Sequence, residues 1–451
     1  MDIDKTIDKQ TRSESKVKVK FVTNDAKIRV TDKELAVPLR LGRLGLSEAI
    51  NLLLQEESDK EITPKPFDFL INGKFIRTTL DKHIKNLQLT EETVITIEYL
   101  EAITEPKKEK ECQHDDWISC SDGSSFGLIC SGSYDLGVRV WKMDGQLMAT
   151  GTGHLAGVKS VKWLNAMNSD RQGYLVSSGL DKSIRLWELN KEGGSLRELA
   201  TLKEHSGTVE SISVSPDSER LISAGMDNKL KMWNINEIRE QCTSGNGSAE
   251  VKKKRKTASS TVGVSSEVKE VTQSLASMDA HNQGITVVDW STQFQIFSGS
   301  MDHHLFLWDL TTMSKTLSIN TPNPLHDISY STESGLVATA HTDKTIRVYD
   351  PRVDDSSKYQ IQSLISHSSW VTSVNWQPNS QYNLCSASHD GTVKYWDIRT
   401  KIPLYTIDNL KSGEKLLTSC WVSSSKTNTP LIASGGTDSK LRIHFDEKQQ
   451  E

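Results

Sequence analysis

The sequence lacks any run of about 18 apolar residues, the length a helix needs to cross a bilayer, and it opens on Met1-Asp-Ile-Asp-Lys5 with no apolar leader. Cysteine is scarce: six in 451 residues (Cys112, Cys120, Cys130, Cys242, Cys385, Cys420), none in a Cys-x-x-Cys pair. Neither a zinc spacing nor a Gly-x-x-x-x-Gly-Lys phosphate cradle is present. The formal net charge of -5 supplies no overall basic field for nucleic acid. These absences lead us to expect a soluble intracellular protein with reduced thiols. The hydrophobic content, 35%, suits a sheet protein with many polar loops.

What is present is a repeat. An aspartate is followed six residues later by an aromatic: Asp135 and Trp141, Asp181 and Trp187, Asp227 and Trp233, Asp302 and Trp308, Asp343 and Tyr349, Asp390 and Trp396, with a weaker copy at Asp438 and His444. Four residues before each aspartate stands a hydroxyl: Ser131, Ser177, Ser223, Ser298, Thr339, Ser386 and Ser434. Apolar residues three and five after it, such as Ile184 and Leu186, alternate as in a strand. The aspartate then belongs in a tight turn, bonding nearby backbone amides. His114, His154, His205, His281 and His367 stand upstream in five copies; Thr321 and Ser412 take that slot in the fifth and seventh.

Histidine, hydroxyl, aspartate and aromatic in each copy can form one buried hydrogen-bonded set. Recurrence at fixed register argues against catalysis, since a catalytic triad occurs once. We expect no enzyme activity and no cofactor. On these residues the stretch from about 105 to 446 resembles a WD40 repeat array. The resemblance implies four antiparallel strands per blade, stacked into a closed seven-bladed β-propeller. In it His154, Ser177, Asp181, Trp187, His205, Ser223, Asp227, Trp233, His281, Ser298, Asp302, Trp308, His367, Ser386, Asp390 and Trp396 are blade clasps. Trp117 and Trp370, three residues after His114 and His367, are interface candidates at the rim, with packing beneath the loops as the alternative.

Ahead of the repeats, residues 1–15 are charged, polar and expected to be disordered. Strands are expected at Val17–Phe21 and around Leu35–Leu41, and a helix at Leu46–Leu54 with Ser47 as its N-cap. Phe67–Arg77 reads as two strands about an Asn72-Gly73 turn, and Thr93–Tyr99 as a last strand. Residues 16–103 thus resemble ubiquitin, an α+β β-grasp domain, making the chain mainly β. No Gly-Gly end follows Tyr99, so the domain is expected to dock rather than be conjugated. Residues 104–112 form a linker or a strand closing the ring, and the propeller runs over 113–446. The gap between Asp227 and Asp302 places an insertion at 238–273, rich in Ser, Gly, Thr and Lys and expected to be disordered. It carries Lys252, Lys253, Lys254, Arg255 and Lys256, which read as a nuclear-import signal or as a solvated loop; on this run alone rests any direct RNA contact.

Pro66–Ile71, Gly132–Asp135, Ser388–Lys394 and Asp350–Val353, together with the basic insertion, resemble the WD repeat-containing protein 12 family of ribosome-biogenesis factors. Notchless, a sibling family, has eight repeats. The resemblance implies a non-enzymatic assembly factor of the large ribosomal subunit, acting in rRNA processing in nucleolus and nucleoplasm. Its propeller would join the block-of-proliferation protein and pescadillo in the PeBoW complex on the pre-60S particle. Its ubiquitin-like domain would dock on the AAA-type ATPase midasin, where an acidic residue before the last strand completes a Mg²⁺ site. Alignment on that strand selects Glu92, with Glu91 as its neighbour. The alternative is a substrate receptor of a cullin-ring ubiquitin ligase, from the boxes Trp396-Asp-Ile-Arg399 and Tyr349-Asp-Pro-Arg352.

Overall fold

A computed structural model describes residues 15–31, 33–57, 63–88, 94–103, 105–106, 108–123, 127–164, 173–189, 194–243, 268–353, 359–408, 410, 413–422 and 431–445. They form two compact units that divide in sequence at Thr104.

In the first unit, β1 (Lys16–Val22) buries Val17, Val19 and Phe21 and leaves Lys16 and Lys18 in water, the period of a half-buried strand. It pairs antiparallel with β2 (Glu34–Pro38) and parallel with β5 (Ile95–Glu101). Strand β5 also pairs with β3 (Phe67–Ile71), which turns back into β4 (Lys74–Phe75). Asn72 and Gly73 both have positive φ, 51° and 72°, as a two-residue hairpin turn requires. The sheet order β2-β1-β5-β3-β4 is that of a β-grasp. Helix α1 (Arg43–Glu57) lays Leu46, Ile50 and Leu54 into a core with Phe67, Phe69, Ile97 and Tyr99. It starts a turn earlier than expected, so Ser47 is no N-cap. Its hydroxyl instead bonds both backbone groups of Phe67, at 3.1 Å each, and ties the helix to β3. Helix α2 (Leu80–Asn86) follows β4.

Seven sheets make up the second unit. Their inner strands are Ile118–Gly123, Val158–Leu164, Val209–Val214, Ile285–Thr292, Leu325–Tyr330, Val371–Trp376 and Leu416–Val422. Each inner strand packs on the next and the seventh on the first, so the ring is closed: a seven-bladed propeller. The outer strand of the seventh blade comes from the start of the unit. It is β6 (Lys108–Gln113), antiparallel to Lys440–Phe445.

Disorder across 238–273 does not hold at either end. Helix α3 (Ile235–Thr243) places Ile235 and Ile238 at helical spacing in the core between the second and third blades. Lys269–Val271 adds a fifth strand to the second blade, parallel to Leu196–Leu202. The insertion's ends are ordered because each has an apolar cluster or a sheet edge to join. Residues 244–267, and with them Lys252–Lys256, lie outside the described residues.

Neighbouring blades are also stitched by polar side chains. Asp122 accepts the Trp163 amide (2.9 Å), Asp289 that of Tyr330 (2.9 Å) and Asp327 that of Val374 (2.9 Å). Four indoles also donate across seams between blades, each to the preceding inner strand: Trp163 to Asp122 O, Trp290 to Ser213 O, Trp376 to Ser329 O and Trp421 to Asn375 O, at 2.9–3.2 Å. An unpaired buried amide costs about 1–3 kcal/mol, so each stitch removes a penalty that blade packing would otherwise create.

Candidate docking surfaces

The clasps form as a relay. In the second blade the Trp187 indole donates to Ser177 Oγ (2.7 Å), the Ser177 hydroxyl meets His154 Nε2 (2.7 Å), and His154 Nδ1 meets Asp181 (2.9 Å). A His Nδ1–H donating to the carboxylate leaves Nε2 as the acceptor for the serine proton. Asp181 also accepts the amides of Leu155 and Ser183. The same relay joins His205, Ser223, Asp227 and Trp233; His281, Ser298, Asp302 and Trp308; and His367, Ser386, Asp390 and Trp396. In the first blade the Arg139 guanidinium lies against both His114 and Asp135, and the two partners stand 3.5 Å apart.

Two blades solve the problem differently. In the fifth, Thr321 bonds the carbonyls of His303 and Asn323 and takes no part in the relay. His341, on the strand itself, reaches Thr339 Oγ1 (2.8 Å), and Asn323 donates to Asp343 (2.7 Å). In the seventh, His444 meets Ser434 (3.0 Å) where other blades use tryptophan; Ser412 lies outside the described residues.

The clasp turns and the loops before the inner strands share one face of the ring. Trp117 and Trp370 occupy equivalent places there and are half exposed, 50% and 49%. Trp117 meets Tyr134 edge to face (6.2 Å), while Trp370 stacks on His389 (5.7 Å) and tilts against His326 (5.8 Å). Leu155, 82% exposed, and Met226, 39% exposed, lie in loops of the same kind. Tyr134, Lys159, Met226, Met301, His326 and His389 surround the mouth of a cavity of about 630 Å³ bounded by the inner strands. Deeper in it Lys162 pairs with Asp122 at 3.2 Å and keeps 37% of its side chain accessible because it borders the open space.

Residues 17–84 match the NLE (NUC135) domain, and 145–188, 196–234, 272–309, 313–350 and 358–397 each match the WD domain, G-beta repeat. The chain is 59% identical to the ribosome biogenesis protein WDR12 homolog of Dictyostelium discoideum, over 99% of this chain and 98% of that protein. It belongs to the WDR12/YTM1 family of ribosome biogenesis proteins. A Chlamydomonas reinhardtii WDR12 homolog is 34% identical (96% and 98% covered), and the ribosome biogenesis protein YTM1 of Candida glabrata 33% (95% and 97%). Neither domain type in this WDR12/YTM1 chain is an enzyme family. The first matched window, 145–188, starts just ahead of the outer strand of one blade and ends in the third strand of the next. Sequence repeat and blade are thus offset by one strand, the same offset that brings β6 to the seventh blade.

The loop that bears Glu91 and Glu92, between α2 and β5, lies outside the described residues. Among the described residues no group of three or more His, Cys, Asp or Glu is placed to hold a metal ion. The two Asp-x-Arg boxes fold on themselves. Arg399 pairs with Asp397 (2.6 Å) and covers the Tyr382 ring, and Arg352 pairs with Asp350 (2.8 Å).

Burial sets opposing titrations in this WDR12/YTM1 ring. It holds His341 and His326 down to about 4 and His444 to about 3. It pushes Asp289 and Asp327 up to about 6. A histidine whose folded value lies below its unfolded value stabilises fully above about pH 6.5, and that contribution drains as pH falls towards 4. The raised aspartates act oppositely, favouring the fold as pH falls from 6 to about 4. Denaturant melts at pH 7.5 and 4.5 should therefore show acid destabilisation dominated by the histidines. His341→Asn should flatten the acid slope, and Asp289→Asn should steepen it. Parallel slopes in all three proteins would refute the assignment.

Proposed function

We propose that this chain is a non-enzymatic assembly factor for the large ribosomal subunit that works as a handle. The propeller grips a second propeller protein on the precursor particle, the block-of-proliferation protein with pescadillo. The β-grasp unit presents Glu92 to the Mg²⁺ of midasin, whose ATP-driven pull strips the factor from the particle. The metal belongs to the partner, and this chain contributes one carboxylate to it. The observation that carries the reading is the pairing of an NLE domain with a WD40 ring in full-length register with named ribosome biogenesis proteins. The protein would act in nucleolus and nucleoplasm, with Lys252–Lys256 as its import signal.

Half-exposed indoles braced by a second ring are rigid anchors for a partner surface. Affinity purification of the full chain from nuclear extract should recover large-subunit precursor proteins and rRNA. Recovery of a cullin adaptor alone would overturn the reading. Trp117→Ala with Trp370→Ala should weaken propeller–propeller binding by roughly thirtyfold or more, the size of a hot-spot loss. The melting temperature should barely move, since both indoles are half in water. Undiminished binding would remove this face from the interface.

A further inference from the structure

The strand that closes the ring is the least apolar of the seven outer strands. It reads Lys108-Glu-Lys-Glu-Cys-Gln113, and Cys112 is its one apolar side chain, buried beside Trp141, Leu441 and Ile443. Other outer strands bury more: Leu196, Leu199, Ala200 and Leu202 in the second blade, for example. Charge replaces apolar contact at this seam. Lys440 pairs with Glu111 (2.5 Å), and Arg442, held by Asp438 of its own blade (2.5 Å), also faces Glu111 (3.6 Å) and Glu109 (3.9 Å). Lys440 and Glu111 are 35% and 44% exposed, so their pair is open to screening by salt, while Arg442, 6% exposed, meets the half-open carboxylates of Glu109 and Glu111 from the buried side.

The seam also lies where tension would enter. Strand β6 begins four residues after Thr104, where the two units divide, and its partner ends at Phe445. Lys108 and Phe445 are register partners at the same end of the pair. A pull applied from that end loads one pair at a time instead of shearing all of them together.

We infer that the β6 seam is an electrostatic latch, and that a pull on the β-grasp unit opens the propeller ring there before either unit loses its core. This rests on the reading that a motor pulls on that unit, and it adds where the ring yields. The full chain, held in an optical trap by handles at its two ends, tests it. The first event should release about 40 Å, the extended length of two six-residue strands. Its force should fall as salt is raised from about 0.05 M to about 0.5 M, which shortens the screening length roughly threefold. Glu111→Lys should lower it, and adding Lys440→Glu should restore most of the loss. The salt series needs no variant, so a poorly folding Glu111→Lys leaves the test intact. A first event of roughly 300 Å, the length of the opened β-grasp unit, would overturn the latch. So would a force indifferent to salt and to the charge swap. Glu92→Ala separates the two ideas: if it spares docking but the short salt-sensitive event persists, the motor reading fails and the latch stands.

Discussion

Glu92→Ala is expected to abolish docking on the midasin metal site while leaving the melting temperature of the chain unchanged. Mg²⁺ demands near-ideal octahedral oxygen geometry at about 2.0–2.1 Å. A carboxylate supplied by the partner adds both the sixth ligand and a negative charge; alanine leaves water there. The loss should be at least about a hundredfold, or about 3 kcal/mol. Glu92→Asp should fail nearly as badly, since a side chain shorter by about 1.5 Å cannot meet so strict a geometry. Glu91→Ala should retain most of the affinity, which separates the two registers. Calorimetric titration of the midasin adhesion-site domain, with Mg²⁺ and with a chelator, measures all three. Full affinity in Glu92→Ala would sink the assignment.

The largest loss of stability should come from the clasps. Asp181 has a side chain only 5% exposed and accepts from His154, two backbone amides and the Ser183 hydroxyl. Burial alone would raise its pKa, yet these donors hold it well below the usual carboxylate range. Asp181→Ala strands a histidine and two amides, and should lower stability by about 3–5 kcal/mol, the usual cost of breaking a buried charged network. Trp187→Phe keeps the ring packing and loses one donor to Ser177, so about 1–2 kcal/mol is expected. Urea melts give both numbers, and hydrogen exchange should find Asp181→Ala most exposed in the second blade. A cost under about 1 kcal/mol for Asp181→Ala would show that the relay is ornamental.

The clasps were legible because each is local: four residue types within about thirty residues at a constant spacing, which a single sequence can display. The stitching between blades was not. Trp163, Trp290, Trp376 and Trp421 sit one strand away from any clasp and donate to carbonyls 41 to 77 residues distant in sequence. A faint signal existed, since four copies end the inner strand with tryptophan. The fifth-blade histidine was hidden for another reason: His341 lies at the end of the second strand, two residues before Asp343, rather than ahead of the inner strand, so a search at fixed offset passes over it. Composition misled at the insertion, where polar residues outnumber the spaced apolar ones that anchor α3. At the start of α1, the preference of serine for capping lost to a tertiary bond with Phe67.

The offset between repeat and blade has a consequence for synthesis. Strand β6 leaves the translating ribosome more than 300 residues before Lys440–Phe445, its one partner strand among the described residues. At roughly 5–20 residues per second, that is a wait of roughly 15–65 seconds. For that interval the nascent chain carries an unpaired strand edge and six or fewer finished blades. The charges of Lys108-Glu-Lys-Glu111, which make a poor core, keep such an edge soluble and discourage it from pairing with a neighbour on the same polysome.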